Sequence, residues 1–317
     1  MRTKFGFCLL LAAWLAACGG GATPTSTAST RMLIGVLPIP DTLPMYVAEA
    51  KGYFTESNLD VVFVPVASTA ERDRLMQLGQ IDAMINDLVD TLLNNKNQIS
   101  IIVVGTARTA TAQVPLYRVV AAAGSGIETI EGLRGVEIGM PEESAAEYVT
   151  HRLLEAAGFG ADDILIRAVP NPADAVAMLA SGELSAATLP EPAALLAIQG
   201  GARVILDDTS HPEVGQSLIS FGKSYLTNHR REITAFLAAI ERAATDIHAD
   251  GAAWNDLLVQ KELVPAALVE SYTLPTFPSA TVPTEAQFAD VLAWALERGL
   301  VLQTMTYSLS IDPSFLP

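Results

Sequence analysis

Short apolar runs alternate with amphipathic stretches along the chain from residue 32 onwards. The runs at 32–37, 61–66 and 81–86 are predominantly apolar and have the length of buried strands. The stretches between them carry apolar residues at helical spacing and close at a glycine, which is typical of a helix C-terminus. This alternation predicts an α/β protein with mostly parallel sheets.

The same order of elements occurs a second time further along the chain. Strands are predicted at 135–139, 164–169 and 184–189, with helices at 145–157 and 172–181 between them. The glycines that close the helices recur at a nearly constant separation, so that Gly79 corresponds to Gly182. Any two runs of this kind look alike to some degree, but the constant separation favours two similarly built lobes.

Three further strands carry the chain between the two runs, and they are predicted at 99–104, 117–122 and 217–222. We therefore predict a first lobe formed by 32–112 and 218–317, and a second lobe formed by 113–217. Longer helices at 230–248 and 284–298 belong to the first lobe. Two crossings between lobes predict a clamshell that closes by hinge bending.

The charge balance excludes one class of partner. The chain has 19 Lys and Arg against 35 Asp and Glu, a formal net charge of −16. Nucleic-acid binding requires clustered basic residues, so no nucleic-acid partner is expected. The apolar fraction of 50% is also compatible with a membrane protein. After the N-terminus, however, no stretch reaches the roughly 18 uninterrupted apolar residues of a spanning helix.

The N-terminus has the layout of an export signal. Arg2 and Lys4 precede an apolar run at 5–17, which is too short to span a bilayer comfortably. The sequence Leu-Ala-Ala-Cys that ends at Cys18 resembles the bacterial lipobox. This resemblance implies that residues 1–17 are a removed signal peptide and that Cys18 is acylated. The alternative is an ordinary signal peptide that happens to contain a cysteine.

A tether and a location follow from that reading. Residues 18–31 are expected to form a flexible, lipid-anchored linker, because 19–30 contain neither a charge nor a large apolar side chain. With Cys8 removed and Cys18 acylated, neither a disulfide nor a cysteine-based metal site is expected. We expect the protein at the outer face of the cytoplasmic membrane or in the periplasm, held to the membrane only by its lipid.

Four parts of the chain carry a family resemblance. They are MYVAEAKGYFTESNLDV at 45–61, SAAEYVTHRLLEAAG at 144–158, LASGELSAATLPEP at 179–192, and VLAWALERGLV with DPSFLP at 291–301 and 312–317. They resemble the substrate-binding proteins of ABC importers, in the group of sulfonate, taurine and nitrate binders and NMT1/THI5-like (thiamine-pyrimidine) proteins. The resemblance covers nearly all of 32–317. It implies the type II two-lobed periplasmic-binding fold and a monomer that passes a nutrient to a permease driven by a cytoplasmic ATPase.

A ligand is expected where the strands of both lobes end. In open α/β sheets, ligands bind beyond the C-terminal strand ends, close to helix N-termini. The candidate ligand-binding residues in these turns are Pro40, Asp41, Ser68, Thr69, Asn86, Asp87, Glu143, Ser144, Ala145, Asn171 and Glu191. Ser144 begins a helix whose first amides can hold an anion or a carbonyl, although a plain helix cap would equally satisfy its hydroxyl.

The resemblance gives Glu191 a specific role. It stands where the family has the glutamate of a Trp-Glu-Pro motif, which implies a carboxylate that accepts hydrogen bonds from a ligand amine or amide. The alternative is a loop glutamate in solvent. Pro190 stands in place of the tryptophan, so the family's flat stacking partner is missing at that point.

Acidic residues at the predicted turns bear on the charge of the ligand. Asp41, Asp87, Glu142, Glu143 and Glu191 could surround the cleft, and a desolvated anion would then be repelled. We therefore expect a neutral or amine-bearing ligand of the pyrimidine or vitamin-precursor type. An alkanesulfonate, taurine or nitrate is the alternative, since Asp41, Asp87 and Glu143 could be surface residues.

An enzyme on the same fold is the alternative of another class. The chain has four histidines, His151, His211, His229 and His248, and none of them falls in a candidate turn. No catalytic residue, metal ligand set or cofactor motif is recognised, so no enzymatic activity and no cofactor are expected. A receptor that senses the ligand without transporting it is equally compatible with the sequence.

Overall fold

The computed structural model describes residues 29–317. The predicted signal peptide, the lipidated Cys18 and most of the predicted linker lie outside the described residues. Across residues 29–317, none of the helices combines the length and the apolar character needed to cross a membrane.

Strands and helices alternate along most of this range. In chain order the strands are β1 (Thr30–Val36), β2 (Leu59–Pro65), β3 (Ala83–Asn86), β4 (Ile101–Thr109), β5 (Tyr117–Ala121), β6 (Glu137–Met140), β7 (Leu165–Ala168), β8 (Ala186–Pro190), β9 (Arg203–Asp207) and β10 (Gln216–Gly222). The α-helices are α1 (Leu43–Ala50), α2 (Tyr53–Glu56), α3 (Thr69–Gln77), α4 (Leu88–Asn95), α5 (Ala145–Ala156), α6 (Pro172–Ser181), α7 (Ala193–Gln199), α8 (Lys223–Asn228), α9 (Arg230–Ala249), α10 (Asn255–Gln260), α11 (Glu285–Glu297) and α12 (Tyr307–Ser310).

The strands form two five-stranded sheets of the same design. The first sheet has the order β2-β1-β3-β10-β4, and the second has the order β7-β6-β8-β5-β9. In each sheet the first three strands are parallel, and the fourth strand is antiparallel to both of its neighbours. That fourth strand is in each case the first one formed after the chain arrives from the other sheet. The α/β class and the two-sheet organisation are thus as predicted.

Two predicted boundaries differ from the structure. β1 begins at Thr30, so the linker predicted at 18–31 is too long at its C-terminal end. Gln216 and Ser217 pair with Thr109 and Arg108 in the first sheet, although they were assigned to the second lobe. In both places a strand extends beyond its apolar run, because backbone pairing does not require an apolar side chain.

Helix starts follow the predicted caps, with one difference. The hydroxyls of Ser68 and Ser144 accept the amides of the third helical residues, at 3.2 and 3.3 Å. The glutamates at those third positions, Glu71 and Glu147, reach past the serine to the amide of the preceding residue. In a capping box the glutamate would bond to the amide of the serine itself, so this bond is displaced by one residue in both lobes, which extends the structural correspondence between them.

A contact between α5 and α11 joins the two lobes on one side, although α11 packs against the helices of the first lobe. Trp294 of α11 lies edge-on to Tyr148 of α5, with ring centroids 5.5 Å apart. The Tyr148 hydroxyl donates to Asp290 at 2.5 Å, and Arg298 donates to Glu147 at 2.6 Å. We call this set of residues the α5–α11 contact.

A buried carboxylate holds one of the chain crossings between the sheets. Asp208 follows β9, is fully buried, and accepts the amides of Leu116 and Tyr117 at 2.9 and 3.2 Å. Leu116 directly precedes β5, the first strand of the second lobe, and Tyr117 is the first residue of that strand. Burial raises the pKa of Asp208 to about 7, against the lowering effect of the two amides.

Candidate ligand site between the two sheets

Polar residues of both lobes meet where the chain passes from one sheet to the other. Asp41 lies in a short 3₁₀ turn directly after β1, together with Pro40, and both residues are buried. Its carboxylate accepts a hydrogen bond from Arg108 Nη1 at 3.0 Å. Arg108 is the penultimate residue of β4, the last strand before the crossing. The site therefore begins with an ion pair of the first lobe.

Arg108 is the most buried charged group of this site, with 1% of its surface exposed. Its Nη2 donates to the carbonyl oxygen of Pro115 at 2.8 Å, which anchors the guanidinium to the crossing segment. Burial lowers the pKa of Arg108, but Asp41, Tyr272 and Glu191 together outweigh it and leave the pKa above its ordinary value. Arg108 is consequently charged, and its Nε–H is buried without a hydrogen-bond partner among the described residues.

The second lobe contributes a matching ion pair. Glu191 follows β8, is 6% exposed, and accepts Arg118 Nε at 2.5 Å through Oε1. Its amide donates to the carbonyl oxygen of Leu116 at 3.1 Å, and its peptide bond to Pro192 is cis. Glu191 Oε2 is buried and accepts no hydrogen bond within residues 29–317.

Tyr272 completes the group from the C-terminal part of the chain. Its hydroxyl is also buried, with no hydrogen-bond partner in the part of the chain that the structure describes. Burial raises the pKa of the Tyr272 phenol; Arg108 lowers it, while Asp41 and Glu191 raise it further. The charges of all three side chains thus act on the pKa of this phenol. We call Asp41, Arg108, Glu191 and Tyr272 the interlobe junction.

Unpaired buried polar atoms are costly. Leaving such an atom without a partner costs about 1–3 kcal/mol, and native proteins avoid it. The interlobe junction contains a guanidinium N–H, a carboxylate oxygen and a phenol hydroxyl in this state. One is a donor, one is an acceptor and one can be either. These three atoms make the interlobe junction the candidate ligand site.

Two further candidates lie in the turn after β3, the buried Asn86 and the half-buried Asp87, and both side chains form hydrogen bonds within the lobe. Asn86 donates to Thr91 at 2.9 Å and accepts from Ser220 at 2.7 Å. Asp87 caps α4 by accepting the Asp90 amide at 2.9 Å. Burial raises the pKa of Asp87 well above its ordinary range, and the neighbouring Asp90 raises it further. These two residues support the turn after β3.

The remaining candidates stand at helix starts, and their hydrogen bonds are local. Ser68, Thr69, Glu143 and Asn171 are exposed. Ser144 is half-buried and its hydroxyl donates to the Pro141 carbonyl oxygen at 2.6 Å; Ala145 is buried. The structure therefore brings Pro40, Asp41 and Glu191 to the interlobe junction, and places the exposed residues and Ser144 at the ends of separate helices.

Three residues of the site were missing from the sequence prediction. They are Arg108, Arg118 and Tyr272. Arg108 had a signal, because a lone arginine in the apolar strand Ile101–Thr109 needs a buried carboxylate partner. The arginines also change the expected electrostatics. Asp41 and Glu191 are each neutralised by an arginine, while Glu142 and Glu143 are exposed, so the expected ring of unopposed carboxylates is not present.

Two cavities lie away from the interlobe junction. One has a volume of about 290 Å³ and lies beside the opposite end of the first sheet, lined in part by Asp82, Lys223 and Tyr225. A smaller one, of about 30 Å³, lies between α9 and the segment that ends at Pro317. No cluster of three or more His, Cys, Asp or Glu side chains suited to a metal ion occurs in residues 29–317.

The fold is that of the periplasmic binding proteins. The periplasmic aliphatic sulphonate binding protein SsuA from Escherichia coli superposes with a TM-score of 0.75 at 20% identity, over 89% of this chain and 92% of that one. The alkanesulfonate-binding protein SsuA from Xanthomonas axonopodis pv. citri, bound to MOPS, superposes with a TM-score of 0.73 at 17% identity, over 89% and 98% of the two chains.

The family is defined by sequence. Residues 39–253 match the family described as NMT1/THI5 like, and the chain belongs to this family. A 4-amino-5-hydroxymethyl-2-methylpyrimidine phosphate synthase of Saccharomyces cerevisiae is 27% identical over 115 residues. That match spans 36% of this chain and 33% of the synthase. The predicted fold class and family resemblance are confirmed.

Proposed function

We propose that this protein is an extracytoplasmic solute-binding protein, which captures a small organic nutrient between its lobes and delivers it to an ABC permease with a cytoplasmic ATPase. The observation that carries the proposal is the interlobe junction, where both lobes present buried polar atoms without partners. Family and fold support it, since both SsuA structures are named as binding proteins. In this proposal the first lobe comprises 30–112 with 216–317, and the second comprises 113–215.

The proposed ligand is neutral or amine-bearing, of the pyrimidine type. The formal charges of Asp41 and Arg108 cancel, as do those of Glu191 and Arg118. A charged ligand would therefore be buried without a counter-charge, which is costly at low dielectric. The pyrimidine in the name of the yeast relative supports the same class.

An organic anion such as an alkanesulfonate, taurine or nitrate is the second candidate. The buried Nε–H of Arg108 favours it, because an anionic oxygen is a strong acceptor for a guanidinium. The start of α5 at Ser144 adds amides and the positive end of a helix dipole. Two SsuA structures are named for sulphonate binding.

An enzyme is the alternative of another class, supported by the synthase relative. Because that match covers only a third of each chain, the synthase activity is not carried over to this protein. Release of a product from the bound compound would favour the enzyme, whereas return of the compound unchanged supports a binding protein.

Membrane attachment through Cys18 belongs to the same proposal. Cys18→Ala is expected to move the protein from the membrane fraction to the soluble fraction without a change in ligand affinity. Cys8→Ala is the matched control and leaves the protein in the membrane fraction. Unchanged membrane retention of the Cys18 variant would contradict lipid anchoring.

Identification of the bound compound tests the function directly. Native mass spectrometry of the purified protein shows whether a small molecule co-purifies with it. Calorimetric titration with aminopyrimidines, alkanesulfonates, taurine and nitrate then ranks the classes. Saturable binding of any of these, or a co-purifying solute, supports a binding protein. Tight binding of a simple sulfonate would select the second candidate over the first.

A further inference from the structure

We propose that the end of the first lobe opposite the interlobe junction is a basic surface that lies against an anionic lipid bilayer. The surface consists of six exposed side chains, which are Arg31, Arg74, Lys96, Lys223, Arg230 and Arg231. We call this surface the basic end. The inference goes beyond ligand binding and rests on the proposed location of the protein at the outer face of a membrane.

The six residues differ from all other bases of residues 29–317 in their pairing. This range contains 17 Lys and Arg, since only Arg2 and Lys4 of the 19 precede it. Eleven of the 17 form an ion pair with a carboxylate. The six that form no ion pair within residues 29–317 are the six of the basic end. Because the chain has far more acids than bases, this lack of partners comes from the arrangement and not from the composition.

Strand direction places four of the six at one edge of the first sheet. β10 runs antiparallel to β3 and β4, and β1 is parallel to β3, so the starts of these three strands meet the end of β10. Arg31 lies at the start of β1, and Lys223 directly follows β10. Arg74 lies in the last turn of α3, which leads into β3, and Lys96 directly follows α4, which leads into β4.

Hydrogen bonds connect the same elements to α8 and α9. The Lys223 amide donates to the carbonyl oxygen of Ser100, just before β4, at 2.8 Å. The Tyr225 hydroxyl of α8 donates to the carbonyl oxygen of Arg31 at 3.4 Å. The cavity of about 290 Å³ is lined by Ser100, by Lys223 and by the end of α3. Since α9 begins with Arg230 and Arg231 one residue after α8 ends, all six bases belong to this end of the lobe.

Few carboxylates oppose the charge of the basic end. The acids on the same strand ends and turns are Asp60, Asp82 and Glu232. Asp82 is half-buried and accepts the Leu33 amide at 2.8 Å, so its carboxylate is directed into the lobe. Six bases against three acids leave a positive surface on a chain of net charge −16. The expectation that only the lipid holds the protein to the membrane does not take this local excess into account.

The course of the chain favours a bilayer as the partner. The polypeptide enters β1 at Thr30, within the basic end. Cys18, the proposed site of acylation, precedes Thr30 by only twelve residues, which span at most about 40 Å when fully extended. The basic end is therefore the part of the lobe that covalent geometry keeps nearest to the headgroups. Clustered Lys and Arg beside an anchor are attracted to anionic lipids within a Debye length of the surface.

The position argues against the permease as the partner of this surface. Arg31 lies at the start of β1, whereas Asp41 of the interlobe junction lies in the turn after it. A strand of seven residues separates the two, which corresponds to about 20 Å. A permease that receives the ligand has to meet the lobes near the cleft. A bilayer contact at the basic end leaves the interlobe junction on the side away from the lipid.

Vesicle binding by the chain without its lipid tests the proposal. The Cys18→Ala protein is sedimented with vesicles of equal parts phosphatidylglycerol and phosphatidylcholine, and with vesicles of phosphatidylcholine alone. We expect the anionic vesicles to bind at least about tenfold more protein at low salt. Binding should fall as salt is added, because salt shortens the Debye length. At physiological salt the attraction orients a protein that its lipid holds, so Cys18→Ala still leaves the membrane fraction.

A double variant decides whether the basic end makes the contact. Each base at an anionic surface contributes about a fivefold factor to binding, so Lys223→Gln with Arg231→Gln should lower it at least about tenfold. The matched control is Arg167→Gln with Arg203→Gln, which removes the same charge from the second lobe and should leave binding unchanged. The temperature of thermal unfolding shows that both variants are folded.

The outcomes separate this proposal from the proposed function. Equal binding to both kinds of vesicle, or equal losses in the two double variants, would overturn the basic end as a lipid-binding surface. Absence of vesicle binding, together with slower uptake through the permease in the Lys223 and Arg231 variant, would assign the surface to the permease and overturn it as well. The ligand titrations decide the proposed function independently, because no ligand takes part in vesicle binding.

Discussion

The two lobes meet in two ways, and the contrast lies in how their charges pair. At the α5–α11 contact, charged residues pair across the lobes, Arg298 with Glu147 and Arg152 with Asp290. At the interlobe junction, each ion pair is formed within one lobe. Both lobes also have buried polar atoms there that form no hydrogen bond in the described residues. One region is closed by the chain itself. The other is the region where we propose that a ligand binds.

Unpaired atoms alone do not make a ligand site. Trp294 Nε1 and His151 Nε2 in the α5–α11 contact are also buried without partners in the described residues. They are ring nitrogens packed beside aromatic side chains, whereas two of the three unpaired atoms at the junction belong to charged groups. The comparison leads us to expect that the α5–α11 contact stabilises the fold and that the interlobe junction binds the ligand. Substitutions in each region test this division.

The largest effect is expected from the α5–α11 contact. Trp294→Ala removes a buried indole, and such a truncation costs about 3–5 kcal/mol of unfolding free energy. Denaturant unfolding measures the loss, and small-angle scattering measures the spacing of the lobes. Phe315→Ala, in the core of the first lobe, is the matched control, since it destabilises the protein without changing that spacing. Equal scattering changes in both variants would contradict a specific role in joining the lobes.

The next largest effect is expected at Asp208, which holds the chain crossing between the sheets, and it appears as a pH dependence of the free energy of unfolding. The folded chain holds the Asp208 proton up to about pH 7, whereas the unfolded chain releases it near 3.8. The contribution of Asp208 to the free energy of unfolding is therefore fully present below about pH 4. It falls by up to about 1.4 kcal/mol per pH unit as the pH rises from there through about 7. Denaturant unfolding across this range measures the slope, which Asp208→Asn should reduce. The control is Asp162→Asn, which removes an exposed carboxylate of the same lobe. An unchanged slope in the Asp208 variant would refute the assignment.

A smaller effect in free energy is expected at the interlobe junction, and it appears in binding. Glu191→Ala removes the acceptor and is expected to weaken ligand binding by about 1–3 kcal/mol. The midpoint of thermal unfolding should change little, because Arg118 is partly exposed and can be hydrated. Calorimetry on the co-purifying solute measures the affinity, with Glu183→Ala as control. An unchanged dissociation constant would remove Glu191 from the site.

The smallest effect is expected at the rim of the α5–α11 contact. Arg152→Gln removes the ion pairs with Asp290 and Glu155, whose carboxylates are largely exposed. Exposed ion pairs contribute less than about 1 kcal/mol, so the unfolding free energy should fall by no more than that. A larger loss would show that these charges, and not the buried indole, hold the lobes together.

Local signals account for most of what the sequence predicts correctly. The cap at Ser144 and the glycine stop at Gly182 act within one turn of chain, and α6 has the predicted bounds, Pro172–Ser181. The stretch between the first two strands is predicted as one helix, yet Gly52, with a positive φ of 76°, separates α1 from α2. Elements without such signals, such as β9 and α7, were not predicted.

The candidate site was only partly predictable, for a physical reason. Asp41 and Glu191 follow strand ends, which a rule about sheets can select. Arg108 and Tyr272 join them through contacts between distant parts of the chain, and no local pattern encodes a pairing between residues 67 positions apart. The predicted repulsion of anions takes only the acidic residues into account. Their arginine partners lie on other strands, so the sequence does not show these ion pairs.

The strand order determines which of the two sheets can be completed first while the chain is synthesised from its N-terminus. All strands of the second sheet lie between Tyr117 and Asp207, so that lobe contains its whole sheet in one continuous stretch. In the first sheet, β4 pairs only with β10, which is completed at Gly222. Until that residue emerges, β4 has no neighbour in its sheet. The first lobe, whose synthesis begins first, is therefore completed last. A chain that ends before residue 216 contains all strands of the second sheet but lacks β10 of the first sheet.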